Sequence, residues 1–313
     1  MKRSALLILF LGFWGSAFAQ ESAGEPSALA CNDVRAGAAR VLASEPDALQ
    51  VNNLLFEAAR KGCVSSLDAL FKAGASRLAR DRFGNTALAI AAKMGRLGVV
   101  KALSASASPD EAAQLDRPNV AGSTPLIQAA LANRADVAKW LVDAGARVDV
   151  VNTQGETALS AAAFNGNSEL AALLLAHKAR PDTIDATGKS VIVYAAARGA
   201  TRIVEMLLDA GVDPNLRYRA DLTALMWAAG HPDDVAADAG LRTVKLLLSR
   251  GAKLDFVDDR GRSALMIAAG LGRGAIAKAL LEAGADRTLR DKAGRSAADL
   301  AATPEVKAVV AGS

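Results

Sequence analysis

From residue 48 onward, the apolar residues of this chain fall into two alternating kinds of cluster separated by polar turns. The first is an apolar pair followed by a double alanine, as in "TALAIAA" and "TPLIQAA". The second is a run such as "VVKAL", "VAKWL", "IVEML" or "VKLLL", with apolar positions three and four apart. That spacing places them on one side of a helix. The turns carry Asp or Asn, then Gly, and a Thr or Ser follows two residues after the Gly. The Thr or Ser is suited to cap the first helix, and the paired alanines let neighbouring helices approach. The second cluster closes on Gly-Ala, as in Gly145-Ala146, Gly251-Ala252 and Gly284-Ala285, where Gly supplies the left-handed residue that ends a helix. The pattern predicts pairs of short helices joined to the next pair by a tight turn.

The pairs recur with a fixed period. Gly84, Gly122, Gly155, Gly188, Gly261 and Gly294 stand at steps of 38, 33, 33, 73 and 33. The step of 73 resolves into 33 and 40 if Asp221 in "DLTAL" takes the glycine's place. A period of 33 with two insertions thus accounts for residues 48–313. One insertion lies near "SASPDEAAQLD" and lengthens a projecting turn; the other, of seven residues, lies between Gly230 and Gly240. In one unit Lys178 replaces the closing glycine, beside His177. The chain reads as an all-α repeat solenoid.

With this period and grammar the sequence resembles the ankyrin repeat, which implies two antiparallel helices and a projecting β-turn per unit. Eight units are counted when the irregular first and last are included. One departure is consistent. The family's "TPLH" has no histidine here, and its position is held by Phe56, Ala89, Ile127, Ser160, Val193, Met226, Met266 and Asp299. The resemblance further implies a concave face, built from turn tips and first helices, that binds other proteins.

The ends differ from the middle. "NDVRAGAARVLA", within residues 20–47, reads as one extra helix covering the first unit, and "GRSAADLAATPEVKAVV" is a capping unit with Ala298 and Asp299 at apolar positions. Residues 1–19, "MKRSALLILFLGFWGSAFA", place Lys2 and Arg3 before an apolar run and end on Ala17-Phe18-Ala19. This is the pattern of a cleaved secretory signal, too short to span a bilayer. A periplasmic or secreted protein without a stable membrane anchor is expected. Cys31 and Cys63, the only cysteines, lie 32 residues apart at nearly equivalent places of neighbouring units. In an oxidising compartment they are expected to pair.

Composition changes the picture little. With 37 Lys and Arg against 33 Asp and Glu, and two of the basic residues in the leader, nothing indicates a nucleic-acid binder. No catalytic triad, H-E-x-x-H, CxxC or phosphate loop is present, and no cofactor is expected. Trp140 is assigned to the core, since it stands where other units have Leu173, Met206 and Leu246. Trp227 and Tyr194 share a register with Gln128 and Ile267 and are expected to be half-buried.

The functional expectation is a non-enzymatic, exported protein that binds a periplasmic or envelope protein. The candidate contact residues are turn-tip side chains: Arg82, Phe83, Gln154, Glu156 and Lys189, continuing with Arg219, Arg260, Arg262, Lys292 and Arg295. Two alternatives stand beside it. In one, His231 with Asp233, Asp234 and Asp238 forms a metal-dependent or enzymatic site; in the other, the solenoid is purely structural. The order His-Pro-Asp-Asp without a second histidine is poor for zinc. The segment is expected to be a structural or partner-contacting turn, with Gly230 left-handed at the first helix's end and Gly240 closing a short turn over 235–237.

Overall fold

The computed structural model describes residues 28–43, 47–105 and 113–312. The expected leader, the step from Ala19 to Gln20 and most of the first insertion lie outside the described residues. Seventeen α-helices and no strand occur among the described residues.

The helices form two layers. The inner layer holds the first helix of each unit: α2 (Ala48–Lys61), α4 (Ala87–Met94), α6 (Pro125–Leu131), α8 (Ala158–Phe164), α10 (Val191–Ala197), α12 (Ala224–Ala229), α14 (Ala264–Gly270) and α16 (Ala297–Leu300). The outer layer holds the second helices: α3 (Leu67–Lys72), α5 (Leu97–Ser104), α7 (Ala135–Asp143), α9 (Ser168–Ala176), α11 (Thr201–Asp209), α13 (Ala237–Ser249), α15 (Gly274–Glu282) and α17 (Pro304–Ala311). Each inner helix packs on the next from α2 to α16. A further helix, α1 (Asn32–Leu42), covers α2 and α3, as the extra helix read from "NDVRAGAARVLA" should. The fold is the expected helical repeat stack.

Local chemistry starts and stops these helices. Thr86, Thr124, Thr157, Thr223, Ser263 and Ser296 each accept a hydrogen bond from the backbone N–H three residues on, at 3.0–3.4 Å. Ser190 is the exception, with no such bond. In the last unit Asp299 answers its cap: its carboxylate accepts from the Ser296 N–H at 2.9 Å, closing a capping box. A charged residue at an apolar position is thereby used to end the stack. Lys178 does adopt the left-handed conformation of the glycine it replaces (φ 65°), and so does Asp221 (φ 59°).

The core runs the length of the solenoid. Its inner wall is the paired alanines, such as Ala91-Ala92, Ala195-Ala196 and Ala228-Ala229, all with no exposure. Facing them are outer-helix side chains, among them Leu103, Leu141, Leu174, Leu207, Leu247 and Leu280. Trp140 departs from its assignment: it packs against the core but is only half-buried, because the outer helix turns that position toward solvent.

Cys31, at the start of α1, and Cys63, just ahead of α3, are joined by a disulfide with their Cα atoms 5.6 Å apart. Both are buried, and Lys61 reaches Asp33 at 3.5 Å on the same junction. The bridge therefore ties the covering helix to the first unit. Thiol titration of unfolded, non-reduced protein is expected to find no free thiol. Replacing both cysteines by Ser is expected to lower unfolding stability by about 3–4 kcal/mol in the loop-entropy model, measured by denaturant unfolding.

Candidate interaction surface

The projecting turns, here called fingers, are built the same way in nearly every unit. A carboxylate or amide oxygen at the finger's base accepts two backbone N–H groups from across the turn. Asp81 takes those of Phe83 and Asn85, both at 2.8 Å; Asn152 takes those of Gln154 and Glu156, both at 2.9 Å; Asp258 takes those of Arg260 and Arg262 at 3.0 and 2.8 Å. In the sixth unit Tyr218 stands at this base. There Ala220 and Asp221, both left-handed, shape the turn instead.

Fingers are also bonded to one another. Val120 N–H donates to the Phe83 carbonyl (3.0 Å), Thr153 to Ala121 (3.0 Å), Ala186 to Gln154 (2.8 Å), Arg219 to Gly188 (3.2 Å), Asp259 to Ala220 (3.0 Å) and Lys292 to Arg260 (2.9 Å). Close approach requires glycine at Gly155, whose φ is +78° and where a Cβ would stand 2.6 Å from the Asp185 Cα. The seven fingers form one continuous, backbone-linked row.

This row sorts the residues singled out from the sequence. Phe83, Gln154, Arg219, Arg260 and Lys292 are exposed on it, with the Arg82 guanidinium 4.7 Å from the Phe83 ring centre. Arg262 and Arg295 are engaged within their own fingers, each pairing with the buried Asp258 or Asp291 at 2.7 Å. Glu156 accepts from Asn152 at 2.8 Å. Burial works against ionisation of Asp291, but hydrogen bonds from the Arg295 side chain and from the Arg295 and Ala293 backbones outweigh it and hold its carboxyl below the usual range.

Below the fingers, the inner helices present side chains at matched positions. Tyr194 and Trp227 are half-buried, as their shared register implied. Lys189 reaches back from its finger so that Nζ lies 5.7 Å from both ring centres. Phe164 meets Tyr194 edge to face at 5.8 Å and keeps 46% of its surface exposed. Leu131, the equivalent residue one unit earlier, is likewise exposed. The Tyr194 hydroxyl donates to the Asp185 carboxylate; burial, and then this bond and charge, push its phenol well above the usual range. Units three to six therefore share an aromatic and apolar strip flanked by one lysine. The sequence alone marks neither Phe164 nor Leu131 as exposed; their only signal is a position three residues past the register of Gln128 and Tyr194.

The segment around His231 departs from expectation. Gly230 is not left-handed (φ −104°). Gly240 closes no turn but lies buried inside α13, which has 13 residues where other outer helices have six to nine. The insertion is thus divided between a loop and an extra turn of helix. His231 is buried against Gly240, its Nδ1 2.9 Å from the Pro232 carbonyl. The neighbouring carboxylates diverge: Asp233 pairs with Arg273 at 2.5 Å and Asp234 with Arg198 at 2.8 Å, in the units on either side. That hydrogen bond to Arg198 holds the Asp234 carboxyl below the usual range. Asp238 pairs with Arg242 on its own helix. Each carboxylate has a separate partner, so the convergence a metal site needs is absent here. Among the described residues no group of three or more His, Cys, Asp or Glu side chains is placed to hold a metal.

The model of ankyrin repeats (three copies) matches residues 55–152, 144–218, 216–291 and 234–310. The chain belongs to the ankyrin-repeat family. No curated protein matches it. Ankyrin repeats generally mediate protein–protein interaction and typically act as non-enzymatic scaffolds, which agrees with a surface made of fingers and inner-helix side chains. Among the described residues no helix is long and apolar enough to cross a membrane.

Two further predictions concern this repeat stack. A Cβ on Gly240 would stand 2.2 Å from the His231 Cδ2. Gly240→Ala is therefore expected to destabilise by about 1–3 kcal/mol, against the gain of roughly 0.5–1 kcal/mol usual for Gly to Ala inside a helix. Adding His231→Ala should recover part of the loss in denaturant titration. For Asp291 the folded carboxyl is the stronger acid, so its contribution is present above its ordinary value of 3.8 and is lost as pH falls through the lower folded value. Asp291→Asn is expected to lower Tm at pH 7, with the difference from the parent shrinking as pH falls below 3.8.

Proposed function

We propose that this chain is an exported scaffold that binds a protein of the periplasm or cell envelope through its finger row and inner-helix face. The observation that carries the reading is the strip of Leu131, Phe164, Tyr194 and Trp227, which crosses four consecutive units and leaves large apolar side chains in water. Exposed apolar and aromatic groups of this kind, rimmed by polar residues, mark interaction sites. Export is supported by the charge, apolar run and small-residue ending of residues 1–19. The Cys31–Cys63 bridge agrees with an oxidising compartment.

The test is site-specific photocrosslinking in the native compartment. A photoreactive side chain at Leu131 or Phe164 is expected to trap one discrete protein, whereas the same group at Lys139 or Glu169 on the outer helices traps none. Equal labelling from both faces, or none from the inner face, would defeat the reading. Intact mass of the native protein is expected to place its first residue at Gln20; retention of Met1 would refute export by this leader.

A further inference from the structure

The finger row concentrates the positive charge of the chain. Residues 80–85, 117–123, 150–156, 183–189, 216–222, 256–262 and 289–295 hold eleven Lys or Arg and seven Asp or Glu, while the rest of the chain beyond residue 19 holds 24 and 26. The body is slightly acidic and the fingers are basic.

The acidic residues of the row are also largely spent. Asp81, Asp185, Asp258 and Asp291 each accept backbone N–H groups inside their own finger. Glu156 takes the Asn152 amide, and Asp221 faces Arg217 at 3.8 Å. Arg219, Arg260 and Lys292, by contrast, project from the last three fingers without an ion pair to any described residue. The four fingers before them carry, besides Arg80 and Arg82 on the first, a run of exposed apolar side chains. Phe83, Val120, Val151 and Ile184, on four consecutive fingers, are 54, 76, 42 and 58% exposed, and backbone hydrogen bonds join these fingers in series.

Resting on the scaffold reading above, we propose that the partner is bound through an acidic, partly apolar protein segment that lies along the finger row. Its apolar side chains cover Val120, Val151 and Ile184, and its carboxylates meet Arg219, Arg260 and Lys292. A nucleic acid or a lipid headgroup surface would satisfy the three cations but leave the apolar fingertips in water, and for that reason a protein segment fits better. Charges of this kind raise the association rate and select the partner, and the contact weakens as salt screens them.

The experiment is an anisotropy titration of the full mature chain with four labelled probes: a peptide of alternating glutamate and leucine, polyglutamate of equal length, a single-stranded oligonucleotide, and phosphatidylglycerol vesicles. The alternating peptide is expected to bind most tightly and to weaken with added salt. Arg219→Glu with Arg260→Glu and Lys292→Glu should weaken both peptides by roughly tenfold or more. Val120→Ser with Ile184→Ser should weaken the alternating peptide and leave polyglutamate unchanged. These side chains are exposed, so circular dichroism of the variants should match the parent. The salt series on the parent protein tests the charge contribution without any variant. Tighter binding of the oligonucleotide or vesicles, or affinity unmoved by charge reversal and salt, overturns the proposal. If photocrosslinking at Phe164 still traps a discrete protein in that case, the scaffold reading survives and only the acidic segment is lost.

Discussion

Helices of six to nine residues do not persist in water, because too few hydrogen bonds repay the cost of nucleating each one. Most helices of this protein are of that length, and their persistence depends on one interaction: the stacking of inner helices through paired alanines. A methyl side chain lets each helix lie close against the next, and the leucines and valines of the outer layer then close over the seam. No unit buries this surface alone, so the stability of each is borrowed from its neighbours. The ends are where that loan fails, and they are treated differently. At one end a helix is fixed by a disulfide; at the other, Asp299 replaces an apolar residue and caps its own helix.

With stacking settled, the fingers join the core only at their bases, as Tyr218 does, and their tips are left as a surface. Their shape is held by an Asp or Asn at the base and by one backbone hydrogen bond to the next finger. The side chains at their tips carry little structural demand, so their chemistry can answer to a partner. The distinction between a tip that is available and one that is occupied is fine. Arg260 and Arg262 are two residues apart in one turn, yet the first points to solvent and the second neutralises the buried Asp258. Lys189 shows a third condition, folded back over Tyr194 and Trp227, where it joins the fingers to the inner-helix strip.

The insertion in the sixth unit shows how a solenoid absorbs extra residues. The added chain is used partly as helix, with Gly240 buried so that the imidazole of His231 has room. Asp233 and Asp234 then reach opposite neighbours. A segment that interrupts the period is thereby turned into a clip across three units.

The sequence by itself determined the helical repeat stack, the Thr and Ser caps other than Ser190, and the two places where Lys178 and Asp221 stand for glycine. These depend on backbone conformation and on hydrogen bonds three residues away, which local spacing encodes directly. The half-burial of Tyr194 and Trp227 was legible for the same reason, since a shared register in a repeat means a shared environment. Tertiary structure alone decided the rest. Arg198 and Arg273 lie 36 and 40 residues from the aspartates they bind. The path of the insertion, and not its composition, brings them together. The position of Arg262 in the turn is visible in the sequence, whereas the burial of Asp258, which engages its guanidinium, is not. Burial is a property of what packs around a residue, and no period of the sequence states it.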